Sequence, residues 1–246
     1  MDFGKFVTSA GAEVIETKDN WNYSRSLLFS WAIPYYHFGI RTTMPMGPHF
    51  SAGVQLVNGW NNVEDNNGGK TVGLTAAATS KKATLNVNYY AGPERATPLK
   101  GVRQLFDTTL LLTPSDKANF YINYDYGHES HPEVTANKSA HWTGVAGAAR
   151  FQVNSIFALA PRIEWFSDPT NTALNTGALL LAGVKPTVKE FTMTGEFKAK
   201  EGVFMRLEYR RDWANVDLFD RGNQIFNSKN QTTLTAGFVA FFGPKR

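Results

Sequence analysis

The stretch QTTLTAGFVAFF, residues 231–242, carries apolar side chains at alternate positions from Leu234 to Phe242. The segment VFMRLEYRRD, residues 203–212, shows the same alternation more clearly, since charged side chains separate its apolar ones. A period of two residues places the two sets on opposite faces of a β-sheet. The pattern recurs about a dozen times, at roughly the 9–11 residues that a tilted strand needs to cross a bilayer. This repetition predicts an all-β, transmembrane antiparallel barrel.

The composition is compatible with this architecture. The chain has 246 residues, no cysteine, 13% aromatic residues and a mean hydropathy of −0.30. No apolar run reaches the ~18 residues of a transmembrane helix, but barrel strands hide their apolar half in alternation. The net charge of +4 is mild and the basic residues are dispersed, so no nucleic-acid interface is predicted. Because the alternation continues through the whole chain, we expect a single domain, residues 1–246.

The connections between predicted strands alternate between short and long. Short turns are predicted at residues 45–48, 80–82, 114–117, 153–155 and 200–202, and long loops lie between them. Outer-membrane barrels have short periplasmic turns and long external loops. Counted from Phe3, the pattern predicts about twelve up-and-down strands, with both chain ends on the periplasmic side.

Aromatic residues gather near the ends of the predicted strands, on the apolar face. At the long-loop ends they are Tyr89, Tyr124, Tyr126, Trp165 and Tyr209, and at the short-turn ends Phe157 and Phe242. Two such belts are typical of a barrel whose aromatic rings lie at the two membrane–water interfaces. A soluble β-sandwich, the alternative for an alternating pattern, predicts neither the belts nor the regular change of loop length.

Five short runs are distinctive: GKFVT at residues 4–8, NWNYSRS at 20–26, VNGWN at 57–61, QTTLT at 231–235 and FFGPK at 241–245. Together they resemble the OmpL-like β-barrel porin family of Gram-negative bacteria. The resemblance implies a porin of the outer membrane. Members usually carry a signal peptide and further strands before the first of these runs, so we expect this sequence to lack both. A parent barrel of about sixteen strands, as in general porins, would then include this chain as its C-terminal part.

Charged residues at inward positions are the predicted pore lining, because the lumen of a pore decides which solutes pass. By the alternation they are Arg41, Arg162, Glu164, Glu190, Glu196, Arg206, Glu208 and Arg210. On neighbouring strands these side chains can form facing cationic and anionic rows that bias ion choice. The alternative is that they only pair with one another and keep the lumen wet.

The long loop at residues 9–36 has no period of two and is expected to carry at most a short helix. In general porins one long loop folds inward and narrows the pore, and the resemblance gives this loop that role. Its candidate constriction residues are Asp19, Tyr23 and Arg25, followed by Glu13, Glu16 and Lys18. The alternative is an external loop that packs on its own apolar residues 27–29.

Other chemistry is weakly indicated. His128, His131 and His141 could bind a metal, and residues 64–68 offer oxygen ligands without the full spacing of a calcium loop. A serine hydrolase would need a grouped Ser and His, and no motif groups Ser24, Ser139 and His141. We therefore expect no catalytic residues, no metal and no cofactor.

The sequence thus predicts an outer-membrane porin, a passive diffusion channel for small polar or anionic solutes. The expected partners are the lipid bilayer, lipopolysaccharide and small solutes or ions, with a possible homotrimer and no nucleic acid. The first alternative is a structural or adhesive barrel with a plugged lumen and partner-binding loops. A membrane-embedded enzyme and a soluble sandwich are the others.

Overall fold

A computed structural model describes residues 1–95, 101–130, 139–174, 185–222 and 226–242. Its first six strands are β1 (Asp2–Val7), β2 (Tyr36–Pro45), β3 (Phe50–Val57), β4 (Thr71–Thr79), β5 (Ala83–Gly92) and β6 (Arg103–Ser115). The next five are β7 (Ala118–Glu129), β8 (Ala140–Gln152), β9 (Phe157–Ser167), β10 (Thr187–Lys200) and β11 (Val203–Ala214). Two short strands, β12 (Phe219–Asp220) and β13 (Phe226–Ser228), precede the last strand, β14 (Asn230–Ala240).

The strands form one antiparallel sheet in which almost every strand pairs with its neighbours in sequence. The 12-stranded order is β1 through β11 followed by β14, while β12 and β13 form a separate two-stranded ribbon. The predicted up-and-down, barrel-like architecture is confirmed. The ribbon, which lies in the loop after β11, was not predicted. Among the described residues the sheet is not closed, because β1 and β14 each pair with a single strand.

The two faces of the sheet differ as the alternation predicts. On β11, the outward Leu207 is 47% exposed, whereas the inward Arg206 next to it is 1% exposed. The predicted long-loop belt also lies outward, with each of its five rings 37–40% exposed, and Tyr89, Phe106 and Tyr126 are neighbours across β5, β6 and β7. Apolar residues that face outward on a membrane strand contact lipid, so their exposure is the expected state of this surface.

Proline at position 161 coincides with a gap in the pairing of β9 with β8. The β8–β9 ladder is interrupted between the pairs Ala148–Arg162 and Phe151–Leu159, and the register is the same on both sides. Proline has no N–H to donate to a ladder. The irregularity is therefore a local gap in pairing rather than a bulge.

Residues 8–35, here called the inner segment, connect β1 to β2 and lie against the inward face of the sheet. They contain a short 3₁₀ turn, Thr17–Asp19, and one π-helical turn, Leu28–Ala32. Leu28 and Ala32 are fully buried in an apolar cluster that also contains Trp142 and Phe166 of the sheet. None of the helices among the described residues is long and apolar enough to span a membrane.

Candidate functional site

The candidate site is the interior of the sheet, where the inner segment is bonded to the inward side chains. The beginning of the inner segment is held by β6 and β7. Gly11 N donates to Asp107 Oδ2 over 3.0 Å, and Ala12 N donates to Asn123 Oδ1 over 3.1 Å. These side chains satisfy backbone donors that would otherwise be buried without a partner. The segment is therefore fixed to the wall from its beginning.

Arg162 of β9 is the centre of the most highly charged contact. Its side chain is 0% exposed and lies among three carboxylates: Glu13 of the inner segment at 2.5 Å, and Glu164 and Glu190 of the wall at 3.0 Å each. Its guanidinium also donates to Ser24 O over 2.9 Å. Buried charges are tolerated only with such close partners. Arg162 therefore links the inner segment to β9 and β10 by charge as well as by hydrogen bonds.

Arg206 of β11 binds the backbone of the inner segment. Its guanidinium donates to Thr17 O over 2.9 Å, to Asn22 O over 3.2 Å and to Asn20 O. Glu196 of β10 accepts from Arg206 Nε over 2.9 Å and also pairs with Arg150. Arg206 thus holds the chain reversal at residues 17–22 to β11, because it donates to three backbone carbonyl oxygens of this turn.

Glu208 of β11 binds the next part of the segment with the opposite polarity. Its two carboxylate oxygens accept from Tyr23 N over 2.7 Å and Ser24 N over 3.0 Å, and Thr194 Oγ1 donates to it over 2.7 Å. A charged acceptor bound to two successive backbone N–H groups makes strong, directional hydrogen bonds. Glu208 thus holds the segment within the run NWNYSRS, residues 20–26.

The remaining predicted lining residues fall into two places. Arg210 lies beside the others: it pairs with Asp212 at 2.8 Å and donates to Arg25 O over 2.6 Å. Arg41 is separate, on β2, where it pairs with the exposed Asp2 at 2.7 Å. The structure therefore brings seven of the eight residues together on β9, β10 and β11 and leaves Arg41 alone. Their role as pore lining stays a prediction.

The three predicted constriction residues have different surroundings. Asp19 is exposed and pairs with Lys18 at 2.6 Å, and it borders a cavity of about 240 Å³ together with Trp21 and Tyr121. The ring of Tyr23 packs on the backbone of Gly237, where a Cβ would overlap it. Arg25 donates to Ile15 O over 2.6 Å within the segment. Only Asp19 among the three faces open space, and the constriction role stays a prediction.

Polar residues of β6 and β7 belong to the site and were not predicted. Asp107 and Asp125 are opposite each other in the ladder and fully buried, and Asn123 donates to both carboxyl groups. Their inward positions follow from the same alternation. Their role was not predicted, because the alternation shows only that a polar side chain faces inward. It does not show whether another segment of the chain will bind that side chain.

A second part of the interior is uncovered. We call it the open wall: the small inward residues on the short-turn halves of β2 to β5, namely Thr43, Gly53, Thr75, Ala77 and Asn86. The first is exposed and the others are half-exposed. Gly53 lies between the hydroxyl groups of Thr43 and Thr75, so these side chains share one face. The interior thus has one wall beneath the inner segment and one wall that is free.

The weaker sequence candidates form no grouped site among the described residues. His128 and His141 are ladder partners, and His131 lies outside the described residues. Asp65 of the suggested calcium loop is already engaged, since its carboxylate accepts from Asn67 N and Gly68 N and contacts Lys70, and these partners lower its pKa. Ser24 Oγ accepts from the guanidinium of Arg210 over 3.3 Å.

Solved structures with a similar fold include proteins of the outer membrane. The outer membrane channel DcaP of Acinetobacter baumannii matches with a TM-score of 0.66 and 11% identity, over 97% of this chain and 70% of DcaP. OmpT of Vibrio cholerae, solved in a trimer form, matches with a TM-score of 0.60 and 12% identity, over 96% of this chain and 73% of OmpT. At these identities the likeness supports the fold alone.

A further porin structure matches with a TM-score of 0.55 and 12% identity, over 82% of this chain and 60% of that porin. No protein of curated function matches the chain. The family model described as "Putative beta-barrel porin-2, OmpL-like" matches residues 1–242. Because this match covers nearly the whole chain, the chain belongs to the OmpL-like β-barrel porin family and is a porin of the bacterial outer membrane.

Proposed function

We propose that this porin is a passive diffusion channel for small polar or anionic solutes, whose path runs between the inner segment and the open wall. The observation that carries the proposal is the asymmetry of the interior. After Ser9, which is bonded to side chains of β3 and β5, the inner segment is fastened to β6–β11. Thr43, Thr75 and Asn86 of the open wall keep their polar side chains at least partly accessible. A path with hydroxyl and amide groups on one side is suited to hydrated solutes.

The preference for anions is supported by the charges at the short-turn end. Lys18, Arg150, Lys198 and Lys200 border a cavity of about 340 Å³ there, together with Glu196 and Glu201. A surplus of one sign in a recess raises the local concentration of the opposite ion. Solutes that carry a negative charge would therefore be enriched at this mouth.

The constriction is proposed to be the tip of the inner segment. Glu16, Lys18 and Asp19 are exposed at this tip, while most side chains on either side of it are partly or fully buried. Charged groups in a narrow water-filled passage act at short range and choose between ions. In this proposal the buried residues of β9–β11 hold the segment, and the exposed tip meets the solute.

Single-channel recording of the purified protein in a planar bilayer tests this function. Stable open steps are expected, and under a salt gradient the reversal potential should indicate anion preference. A preference for cations would contradict the proposed anion preference, but the proposed channel function would stand. The absence of any open step from a folded protein would contradict the channel itself.

A structural or adhesive barrel with a plugged lumen is the second candidate. It is favoured by the apolar contacts of the inner segment, since Leu27 and Leu28 are buried like core residues against Trp142 and Phe166. In this candidate the inner segment is a plug that this packing holds in place, so the lumen stays closed. This candidate predicts no open steps, and its external loops would then bind a partner.

We also propose the partners of this porin. The apolar outward face would contact the bilayer, and lipopolysaccharide would surround the long-loop end beside the aromatic belt. A homotrimer is proposed because OmpT, with the same fold, was solved in a trimer form. Light scattering of the protein in detergent, corrected for bound detergent, measures the number of copies. No catalytic role is proposed.

A further inference from the structure

A cavity of about 180 Å³ lies at the long-loop end, in the mouth of the interior, where the end of the inner segment meets β6 and β8. Its lining includes Trp31, Tyr35, Trp60, Asn61, Arg103 and Trp142. Pockets that hold drug-sized molecules have about 300–1,000 Å³. This cavity therefore suits a ligand no larger than a single six-membered ring with its substituents.

The lining is held in place before any ligand arrives. Trp142 Nε1 donates to Ala32 O over 3.1 Å, and the indole packs on Gly127, where a Cβ would overlap it. On the other side, Asn61 Oδ1 accepts from Tyr35 N over 2.7 Å. A preorganised lining loses little entropy when a ligand binds.

The rings surround one guanidinium group. Arg103 lies 5.0 Å from the ring centre of Trp60 and 6.0 Å from that of Trp142, and the two indoles are perpendicular at 6.0 Å. Stacking on aromatic rings leaves the edge of a guanidinium available, and this edge matches a carboxylate. Arg103 Nε is buried and has no hydrogen-bond partner within the part of the chain that the structure describes.

The charges around Arg103 leave room for an anion. Glu129 is buried and binds two guanidinium groups at 2.9 Å each, those of Arg95 and Arg103. A further carboxyl group near Arg103 is that of Glu94, whose oxygens accept from Trp60 N and Thr71 Oγ1. Burial raises the pKa of Glu94 to about 7, so it carries only part of a negative charge near neutral pH.

We propose that this mouth cavity binds a small anion in which a carboxylate is attached to a six-membered ring. Arg103 would bind the carboxylate, and Trp60 and Trp142 would contact the ring. Both an aromatic acid and an acidic sugar have this chemistry. The proposal rests on the proposed function in one respect, because it names the class of solute that the channel would receive first.

Binding is measured by intrinsic fluorescence of the folded protein in detergent, since three of the six tryptophans line the cavity. The probes are benzoate and glucuronate, with acetate and glucose as controls that have only the carboxylate or only the ring. Saturable binding of benzoate or glucuronate, well above both controls, supports the proposal, and the better probe identifies the source. Equal responses to all four compounds, or no saturation, overturn it.

Variants test the assigned roles at mildly acidic pH, where Glu94 is neutral. Arg103→Gln should weaken binding of the better probe about tenfold or more, because a charged hydrogen bond is lost. Arg211→Gln is the matched control, since Arg211 is exposed and contacts Thr232. Trp60→Ala should also weaken binding, and the outward Trp165→Ala should not. Unchanged affinity in a folded Arg103→Gln variant overturns the assignment.

This experiment separates the mouth site from the channel. A protein that conducts but binds neither probe retains the proposed function and loses this inference. A protein that binds a probe but gives no open steps retains the site and loses the channel.

Discussion

The wall at β9–β11 and the open wall at β2–β5 are parts of one sheet with the same alternation, yet their interiors are opposite in character. The first buries charged side chains such as Arg162 and Glu208 beneath the inner segment, whereas the second leaves small polar residues such as Thr75 partly accessible. The difference shows that inward charge in this porin serves mainly to hold a segment. The five residues of the open wall, by contrast, carry no charge.

The largest expected effect comes from removing the central cation of the covered wall. Arg162→Met leaves Glu13, Glu164 and Glu190 buried without their shared partner, which should cost about 3–5 kcal/mol of stability. Thermal unfolding in detergent and single-channel conductance measure the result, and a released segment should give larger or noisier currents. Arg41→Met is the matched control, since its partner Asp2 is exposed and the change should be too small to detect. Equal effects of the two variants would remove the distinction between the walls.

A substitution on the outer surface tests which face is which. Leu207→Arg places a charge on the lipid side of β11, and near the bilayer midplane this costs about 2–4 kcal/mol. Folding yield into lipid vesicles is the measurement. Normal insertion would mean that the faces are inverted.

Glu208→Gln weakens the hydrogen bonds between β11 and the inner segment, and the side chain keeps nearly the same volume. The amide offers one oxygen where the carboxylate accepts from both Tyr23 N and Ser24 N, so a loss of about 1–3 kcal/mol is expected. Limited proteolysis within residues 8–35 should become faster, while the sheet remains intact. An unchanged rate of cleavage would show that the other contacts suffice to hold the segment.

Thr75→Glu changes the open wall with little effect on stability, because a half-exposed site away from buried networks tolerates substitution within about 0.5 kcal/mol. The reversal potential should shift toward cation preference. Thr75→Lys is the matched variant and should shift it the other way. If neither charge moves the reversal potential, the path does not pass the open wall.

The last prediction concerns the pH dependence of stability and the loop residue Glu94. Because the folded-state pKa is raised to about 7 from 4.5, folding favours the protonated form. The stabilisation is fully present below pH 4.5 and is lost as the pH rises through about 7. The unfolding midpoint in detergent should therefore fall between pH 5 and pH 8, and Glu94→Gln should flatten this part of the profile. A wild-type midpoint that is constant over this range contradicts the raised pKa.

The strands were predictable from sequence because a membrane strand must separate apolar from polar residues at every second position. The same rule predicted that the side chains of Arg162 and Glu208 face inward. It could not give their partners, since Glu13 is 149 residues from Arg162 and Tyr23 is 185 residues from Glu208. The inner segment has no period, and its position depends on contacts that only the folded sheet creates.

The order of these contacts along the chain also bears on how the porin assembles. Arg162, Arg206 and Glu208 follow the inner segment by well over a hundred residues, so its principal contacts join distant parts of the chain. Contacts of such long range close slowly, because the intervening chain must first be ordered. The barrel wall would therefore form while the segment is still loose, and docking of the segment would be the last step of maturation.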